Sequence, residues 1–423
     1  MNVYDSERVG VMLINSGWHR SDNPEDADLI IINSCSVREK PLLKLFSCAG
    51  RYLPLKKKKG TLIFIMGCVA QQLGKEIVKK ASYIDGVFGP GSEDQIPRVA
   101  NSGKFPYIST EKKDLTREEI FPEESKGQFF EPYSAYVTII HGCNNFCSYC
   151  IVPYVRGPEI SRKASSIVDE INKLKDNGVL EVTLLGQNVN SYKDPETGMD
   201  FSDLLHIISE KCSLTRLRFV TSHPKDFNSK LAKTFSNIPE LMPYLHLPAQ
   251  SGSNNVLEKM KRRYTIEQYL EKMDMAKQSC PEISLSSDFI VGFPGETRED
   301  FEQTLELITN VGYDTIYAFN YSPRPMTKAS EYKDDVATVE KFKRLNELLD
   351  RQKEMIPKVR SRYLDELQKI LVESKSPKGD TFMGRSEHNL ITHVIGSTEE
   401  DLGKILEVKI TDILKNTLRG KKL

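Results

Sequence analysis

YVTIIHGCNNFCSYC, residues 136–150, runs from a β-branched, aromatic-rich pentapeptide into a loop that carries three cysteines. YVTII predicts a strand, and the Gly142 that soon follows predicts a turn. Cys143, Cys147 and Cys150 then stand at a C-x3-C-x2-C spacing. Five further runs of the same kind follow: EVTLL, RLRFV, YLHL, SSDFIVG and TIYAFNY. Helical patterns such as SRKASSIVDEINKLKD and IEQYLEKMDMAKQ lie between them. Six strand-helix units of this size predict a full or partial barrel of parallel strands, with its chemistry at the strands' C-terminal ends. The cysteine loop, leaving the first strand, lies at that end.

Thiolates select soft metals. A structural zinc site closes a tetrahedron of four ligands, commonly from two C-x2-C pairs, and the trio has no evident fourth ligand. An iron-sulfur cube on three cysteines leaves one iron open for chemistry. A trio at the mouth of a barrel favours the cube over zinc or a structural thiol cluster. Cys143, Cys147 and Cys150 are therefore the candidate catalytic and metal-ligating residues.

The rest of the chain bounds the setting. At 423 residues it allows roughly three domains of about 150 residues. Its 59 basic and 59 acidic side chains cancel, so a nucleic-acid partner must be met by a local patch. The apolar stretch TLIFIMGCVA from Thr61 is about half the length of a membrane span, and the N-terminus lacks a secretory pattern. A cytoplasmic location without membrane attachment is expected. Eight clustered cysteines in so long a chain argue for metal or redox chemistry and against a disulfide framework.

Ahead of the barrel, Asp28-Leu29-Ile30-Ile31-Ile32 and Leu62-Ile63-Phe64-Ile65-Met66 read as strands of a parallel α/β sheet, each leading to a cysteine, Cys35 and Cys68. Ligands of such sheets sit beyond the strands' carboxyl ends. Residues 102–134 are charged and Pro-punctuated, as in a linker. After the barrel comes a long helical pattern, in which residues 341–362 carry eight Lys/Arg against three Asp/Glu. KILVES, LITHVIG and KILEVKITDIL then alternate as a small antiparallel β-barrel does. The fold class is α/β, divided as 1–105 (N-terminal parallel α/β domain), 106–133 (linker), 134–357 (partial (β/α)6 barrel) and 358–421 (small barrel). Cys48, Cys212 and Cys280 read as core residues.

With Tyr149 ahead of the last cysteine, the loop resembles that of the radical S-adenosylmethionine (SAM) superfamily. The resemblance implies a 4Fe-4S cluster on Cys143, Cys147 and Cys150, whose fourth iron is chelated by the amino and carboxylate groups of SAM. One electron from the cluster would then cleave SAM to a radical that abstracts hydrogen from an unreactive carbon. It further implies that Asp288 to Gly292, Ile290 and Gly292 in particular, pack on SAM's adenine, and that Tyr149, Gly186 and Ser222 border the cofactor.

NSCSVREK (33–40), MGCVAQQ (66–72), GCNNFCSYCIVPYVRGPEISR (142–162), LLGQNVNSY (184–192), TSHP, HLPAQSGS (246–253), SSDFIVGFPGET (286–297) and YSPRP (321–325) together are similar to the methylthiotransferases of that superfamily. SVREK after Cys35 resembles the MiaB type, which acts on tRNA. This implies transfer of a methylthio group to carbon 2 of N(6)-dimethylallyladenosine next to the anticodon, SAM serving as radical source and methyl donor. It also implies a TRAM domain over the last barrel. Carbon 2 lies between two ring nitrogens and offers no acidic proton, so a radical is the means to functionalise it. A second 4Fe-4S cluster on Cys35 and Cys68 would present the sulfur. The family's third ligand lies in a GCQMN-like stretch just before a segment similar to MNVYDSERV, and the chain opens at that Met1, so the second cluster is expected to lack a ligand. Met326 also stands where the family usually has glycine.

The expected partners are a tRNA anticodon loop, an electron donor of flavodoxin or ferredoxin type and a sulfur source, with a monomeric chain. Lys56 to Lys59, the basic helix, Arg419, Lys421 and Lys422 are candidate phosphate contacts, and His246, Gln250 and Arg324 candidate substrate contacts at the barrel mouth. Two other readings are open: a methylthiotransferase for a ribosomal protein or threonylcarbamoyladenosine, and a non-sulfurating RNA-binding protein with one cluster.

Overall fold

The computed structural model describes residues 1–36, 39–110, 133–377, 379 and 381–423, and of residues 39–42 the backbone alone. The N-terminal part is a four-stranded parallel sheet, β1 (Leu29–Asn33), β2 (Leu62–Met66), β3 (Gly86–Phe88) and β4 (Tyr107–Ser109), in that order. β1 and β2 run in register from Leu29↔Leu62 to Asn33↔Met66. LIFIM is apolar throughout because both of its faces are covered. Ile63 and Ile65 pack with Leu45, Val69 and Ile77, while Phe64 and Met66 point the other way onto Val9, Ile96 and Val99. β3 and β4 escaped the sequence reading because three residues are too few to show a period, and β4 lies inside the span read as linker. Residues 111–132 of that span, and Val37 and Arg38 of SVREK, lie outside the described residues.

The six runs from Tyr136 form strands. β5 (Ser134–Thr138), β8 (Glu181–Leu185) and β9 (Arg216–Phe219) make one parallel sheet, and β10 (Tyr244–His246), β11 (Ser284–Val291) and β12 (Thr315–Asn320) another. A single bridge, Leu217↔Leu241, joins the two into a six-stranded open barrel. Between β5 and β8 the short ribbon of β6 (Ile140–His141) and β7 (Ile160–Ser161) pairs antiparallel and ties off the cysteine loop at its base. YVTII is thus split at Ile139. Alternation along the strands separates two environments. Ala135, Val137, Val182, Leu184, Leu217, Phe219, Leu245 and Phe289 pack outward against helices such as Ala164–Asp176 and Ile266–Ser279. Their neighbours Tyr136, Thr183, Arg218, His246 and Tyr317 line an interior cavity.

The C-terminal residues close a barrel of β13 (Leu367–Lys375), β14 (Phe382–Ser386), β15 (Ile391–Ile395), β16 (Ile405–Ile413) and β17 (Leu418–Lys422), in the order β13-β14-β15-β17-β16. Four pairings are antiparallel, and β15 meets β17 in parallel. Two buried arginines of β9 fasten this barrel to the larger one. Arg216 donates to the carbonyls of Arg385 and Lys369 at 3.0 and 2.8 Å, and Arg218 to those of Glu387 and Ser386 at 2.8 and 2.7 Å. Glu181 of β8 balances their charge, 2.9 Å from Arg218 Nε. On the other flank Arg362 and Tyr363 hold Asp314, just ahead of β12, at 2.7 and 3.2 Å.

The basic helix, Thr338–Arg360, spends much of its charge inward. Lys341 pairs with Asp334, Arg344 with Glu296 and Glu340, and Arg360 donates to the carbonyl of Asp314. Lys56 is likewise tied to Asp85 and Lys422 to Asp401. No helix among the described residues is long and apolar enough to cross a membrane.

Candidate functional site

The cysteine loop is held by backbone hydrogen bonds. The Cys143 amide donates to the carbonyl of Gly157 at 3.1 Å, that of Ser148 to Met260 at 2.9 Å, and that of Cys150 to Cys147 at 3.0 Å. Ser148 Oγ reaches the carbonyl of Lys259 at 2.7 Å. Cys143 and Cys147 are buried and Cys150 half-buried. Burial pushes the Cys143 thiol up to about 11 and the Cys150 thiol to about 12, with the neighbouring thiols adding to the shift of each. Arg262, itself buried, donates to Cys147 Sγ at 3.5 Å, to Tyr149 Oη at 3.3 Å and to the carbonyl of Pro248 at 2.9 Å. Three clustered thiols with one guanidinium against them form a soft, partly charge-compensated donor set, which suits an iron-sulfur cube.

Among the described residues no three His, Cys, Asp or Glu side chains converge on a single ion. A cube makes no such demand, because each thiolate meets a different iron.

Around the mouth the other expected residues fall into two groups. Ser222 is buried with its Oγ lacking a partner, and so are Gln187 Oε1 after β8, Asn320 Oδ1 at the end of β12 and both amide atoms of Asn190. Buried polar atoms left unpaired at strand ends suit a polar ligand such as SAM, with its amino, carboxylate and hydroxyl groups. Tyr149 and Ile290 pack together with Phe293, Met260 and Tyr321. Gly186 and Gly292 have packing reasons of their own. A Cβ on Gly186 would stand 2.2 Å from Ile140 Cγ2, and Gly292, at φ +69°, would drive one into Lys341.

His246 lines the interior cavity, its Nδ1 2.8 Å from Ser286 Oγ and its Nε2 3.6 Å from Asp288 Oδ2. Gln250 is buried against β11, its backbone bonded to Asp288 and Ile290, and Arg324 lies buried in the loop after β12; neither lines that cavity. In the same loop Met326 adopts φ +69°, the conformation that glycine enters freely. A left-handed side-chain residue costs about 1–2 kcal/mol and glycine's extra chain entropy about 0.5–1. Met326→Gly is therefore expected to stabilise the chain by about 0.5–1 kcal/mol, measured by urea unfolding.

Cys35 and Cys68 stand beyond the carboxyl ends of the adjacent strands β1 and β2, as parallel-sheet topology requires. Burial raises the Cys68 thiol's pKa, and Cys35 adds to the rise, so the two are neighbours. Arg156, six residues past the last cysteine of the barrel loop, crosses to this place. It donates from Nε to Cys68 Sγ at 3.4 Å and from Nη2 to Asp5 Oδ2 at 2.6 Å. Cys68 also packs on Ile151, Val155 and Tyr154 of the stretch that follows Cys150. Cys68 thus packs directly on the segment that leaves the barrel's cysteine loop. Two thiols alone do not complete a cube. Cys212 and Cys280 are core residues, whereas Cys48 is half-buried with Arg51 donating to its sulfur at 3.3 Å. Arg156 and Arg262 escaped the sequence reading, since nothing in VRGP or KRRY tells which cation folds onto a sulfur.

Comparison with known proteins agrees with this layout. Residues 137–308 match the Radical SAM superfamily, residues 1–89 the Uncharacterized protein family UPF0004 and residues 361–423 the TRAM domain. The tRNA-2-methylthio-N(6)-dimethylallyladenosine synthase of Citrifermentans bemidjiense is 42% identical over 99% of the chain and 96% of that protein. The enzyme of the same name from Bdellovibrio bacteriovorus is 43% identical, over 99% and 92%. Among solved structures, the radical SAM methyltransferase TsrM of Kitasatospora setae superposes with a TM-score of 0.60 at 15% identity, covering 78% of this chain and 74% of that one. That likeness bears on fold alone. Radical SAM proteins carry a 4Fe-4S cluster and SAM, and the donor set at Cys143, Cys147 and Cys150 fits the former. The chain belongs to the family of the tRNA-2-methylthio-N(6)-dimethylallyladenosine synthases.

Proposed function

We propose that the chain transfers a methylthio group to carbon 2 of N(6)-dimethylallyladenosine beside the anticodon of a tRNA. The observation that carries this reading is the packing of Cys68, on the N-terminal sheet, against Ile151, the residue that follows Cys150 of the barrel loop. A reaction that takes hydrogen from a carbon and puts sulfur in its place needs a radical source and a sulfur site side by side. When bound, a cluster on Cys143, Cys147 and Cys150 supplies the electron that cleaves SAM. Arg262 fixes the Cys147 sulfur and the Tyr149 ring. Gln187, Ser222 and Asn320 offer polar atoms to SAM. Cys35 and Cys68, completed by a further ligand, would hold the second cluster and the sulfur.

RNA contact fits the outer face of the C-terminal barrel. Lys409 stands directly opposite Lys421, and His393 opposite Arg419, on neighbouring strands. Asp365, 3.4 Å from Lys409, and Asp412, opposite Arg419, offset part of this positive charge, and a phosphate backbone would meet the rest.

Expression in cells that lack their own such enzyme is the test. Nuclease and phosphatase digestion of bulk tRNA followed by mass spectrometry should show a nucleoside that carries sulfur and a methyl from labelled SAM. Unchanged dimethylallyladenosine, with iron bound and SAM cleaved in the purified chain, would leave the non-sulfurating reading standing.

A further inference from the structure

Away from the cysteine site, the Thr338–Arg360 helix is built inside out. Lys341, Arg344, Gln352 and Arg360 are buried on its inner side, along with Leu348 and Ile356. Apolar side chains face away from the core instead: Val339, Phe342 and Leu349 are 81%, 56% and 44% exposed. A helix on the surface of a soluble chain ordinarily shows the reverse. At 3.6 residues per turn the three, with exposed Asn346, fall within about 80° of one another and make a single stripe. Lys343 and Asp350 run along one border of it. Both are exposed, and neither makes an ion pair among the described residues. Of the charges nearby, Glu347 is taken by Arg298, and Arg351 lies 3.7 Å from Glu354.

We propose that this stripe is where a second copy of the chain docks, as an antiparallel pair of Thr338–Arg360 helices. The spacing is self-complementary: Phe342 and Leu349 stand seven residues apart, and so do Lys343 and Asp350. A two-fold axis beside Asn346 turns each border of the stripe onto the same border of the other copy. It sets Phe342 against the partner's Leu349 and Lys343 against the partner's Asp350, and each contact occurs twice. Val339 lies along the stem of the partner's Lys353, whose ammonium stays in water. Asn346 sits near the axis, where a lone polar side chain fixes register. A parallel pairing would put Lys343 on Lys343 and Asp350 on Asp350, which repel. The unpaired charges along the border cancel, so the stripe offers nothing to an RNA backbone or to an acidic protein. One helix pair buries less than the about 1,200–2,000 Å² of a standard interface, so the dimer is weak and reversible. The reading departs from the monomeric chain expected of the sequence.

Sedimentation velocity of the full chain from roughly 1 to 200 µM is the test, a range that brackets a weak pair. A concentration-dependent dimer is expected, and Phe342→Glu should leave the chain monomeric throughout. Lys343→Asp or Asp350→Lys alone sets like charges together twice and should weaken the dimer roughly 3- to 30-fold. The double variant, Lys343→Asp with Asp350→Lys, should restore it, which a merely general change of charge or solubility would not do. A parent that stays monomeric at every concentration overturns the proposal. So does a dimer that Phe342→Glu leaves intact, or one that the double variant fails to restore. Should a variant fail to fold, the parent alone decides. Mixed with an isotope-labelled copy and treated with a carbodiimide, it should give an amide crosslink between Lys343 of one copy and Asp350 of the other, joining a light peptide to a heavy one. Crosslinks at that pair within single copies only would overturn the pairing.

Discussion

Cys147→Ala is expected to leave the chain unable to form 5′-deoxyadenosine from SAM and short of about four irons per chain after anaerobic reconstitution. The loss should be complete, because a cube hung from Cys143 and Cys150 alone has two uncapped irons and no stable seat. Cys147 is also the thiol that Arg262 touches, so its removal takes from a buried guanidinium its contact with the trio while leaving those to Tyr149, Tyr264 and Pro248. The same substitution at Cys143 or Cys150 should be equally severe for SAM cleavage. Chromatographic detection of 5′-deoxyadenosine, with colorimetric iron and sulfide counts, checks it. Undiminished cleavage in any of the three variants would remove the trio from the chemistry.

Asp5→Ala should cost about 3–5 kcal/mol in the metal-free chain. Asp5 and Arg156 form an ion pair at 2.6 Å with side chains only 5% and 3% exposed. Removing the carboxylate leaves the Arg156 charge buried with a neutral thiol as company, and the penalty is that of an uncompensated ion. Replacing both members with apolar residues of similar size, Asp5→Leu with Arg156→Met, should be close to neutral in stability. The single tryptophan gives a local reporter. Trp18 packs under the N-terminal sheet and donates to Asn101 Oδ1 at 3.1 Å, so urea titration of its fluorescence follows the layer that Asp5 anchors. Equal midpoints for the parent and Asp5→Ala would show that the pair holds nothing together.

Much of this architecture was legible because it is periodic. EVTLL forms β8 over the residues read as a strand, and the helix read across SRKASSIVDEINKLKD forms at Ala164–Asp176. The C-x3-C-x2-C loop stood out because its spacing is local. What stayed hidden is long-range. The eight cations of residues 341–362 look like a binding face in a linear count, yet Glu296, Asp314 and Asp334, which absorb several of them, come from loops and strands elsewhere. RLRFV shows a strand but not that Arg216 and Arg218 both turn inward to grip the chain's last barrel. Tyr136 and Tyr317 read as ordinary strand aromatics until the barrel's missing seam places them beside one cavity. Met326 is the reverse case: the departure was visible in the sequence, and the backbone angle supplies its physical meaning.

Arg216 and Arg218 grip both β13 and the end of β14. Four charge-assisted bonds to main-chain carbonyls, one buried and three part-buried, pin the TRAM barrel to the larger one. Those bonds set the outer face of the small barrel at a fixed span from the cysteine loop. An RNA that spans the two must supply the bending itself. Selection among tRNAs then becomes a matter of which anticodon loops splay at least cost.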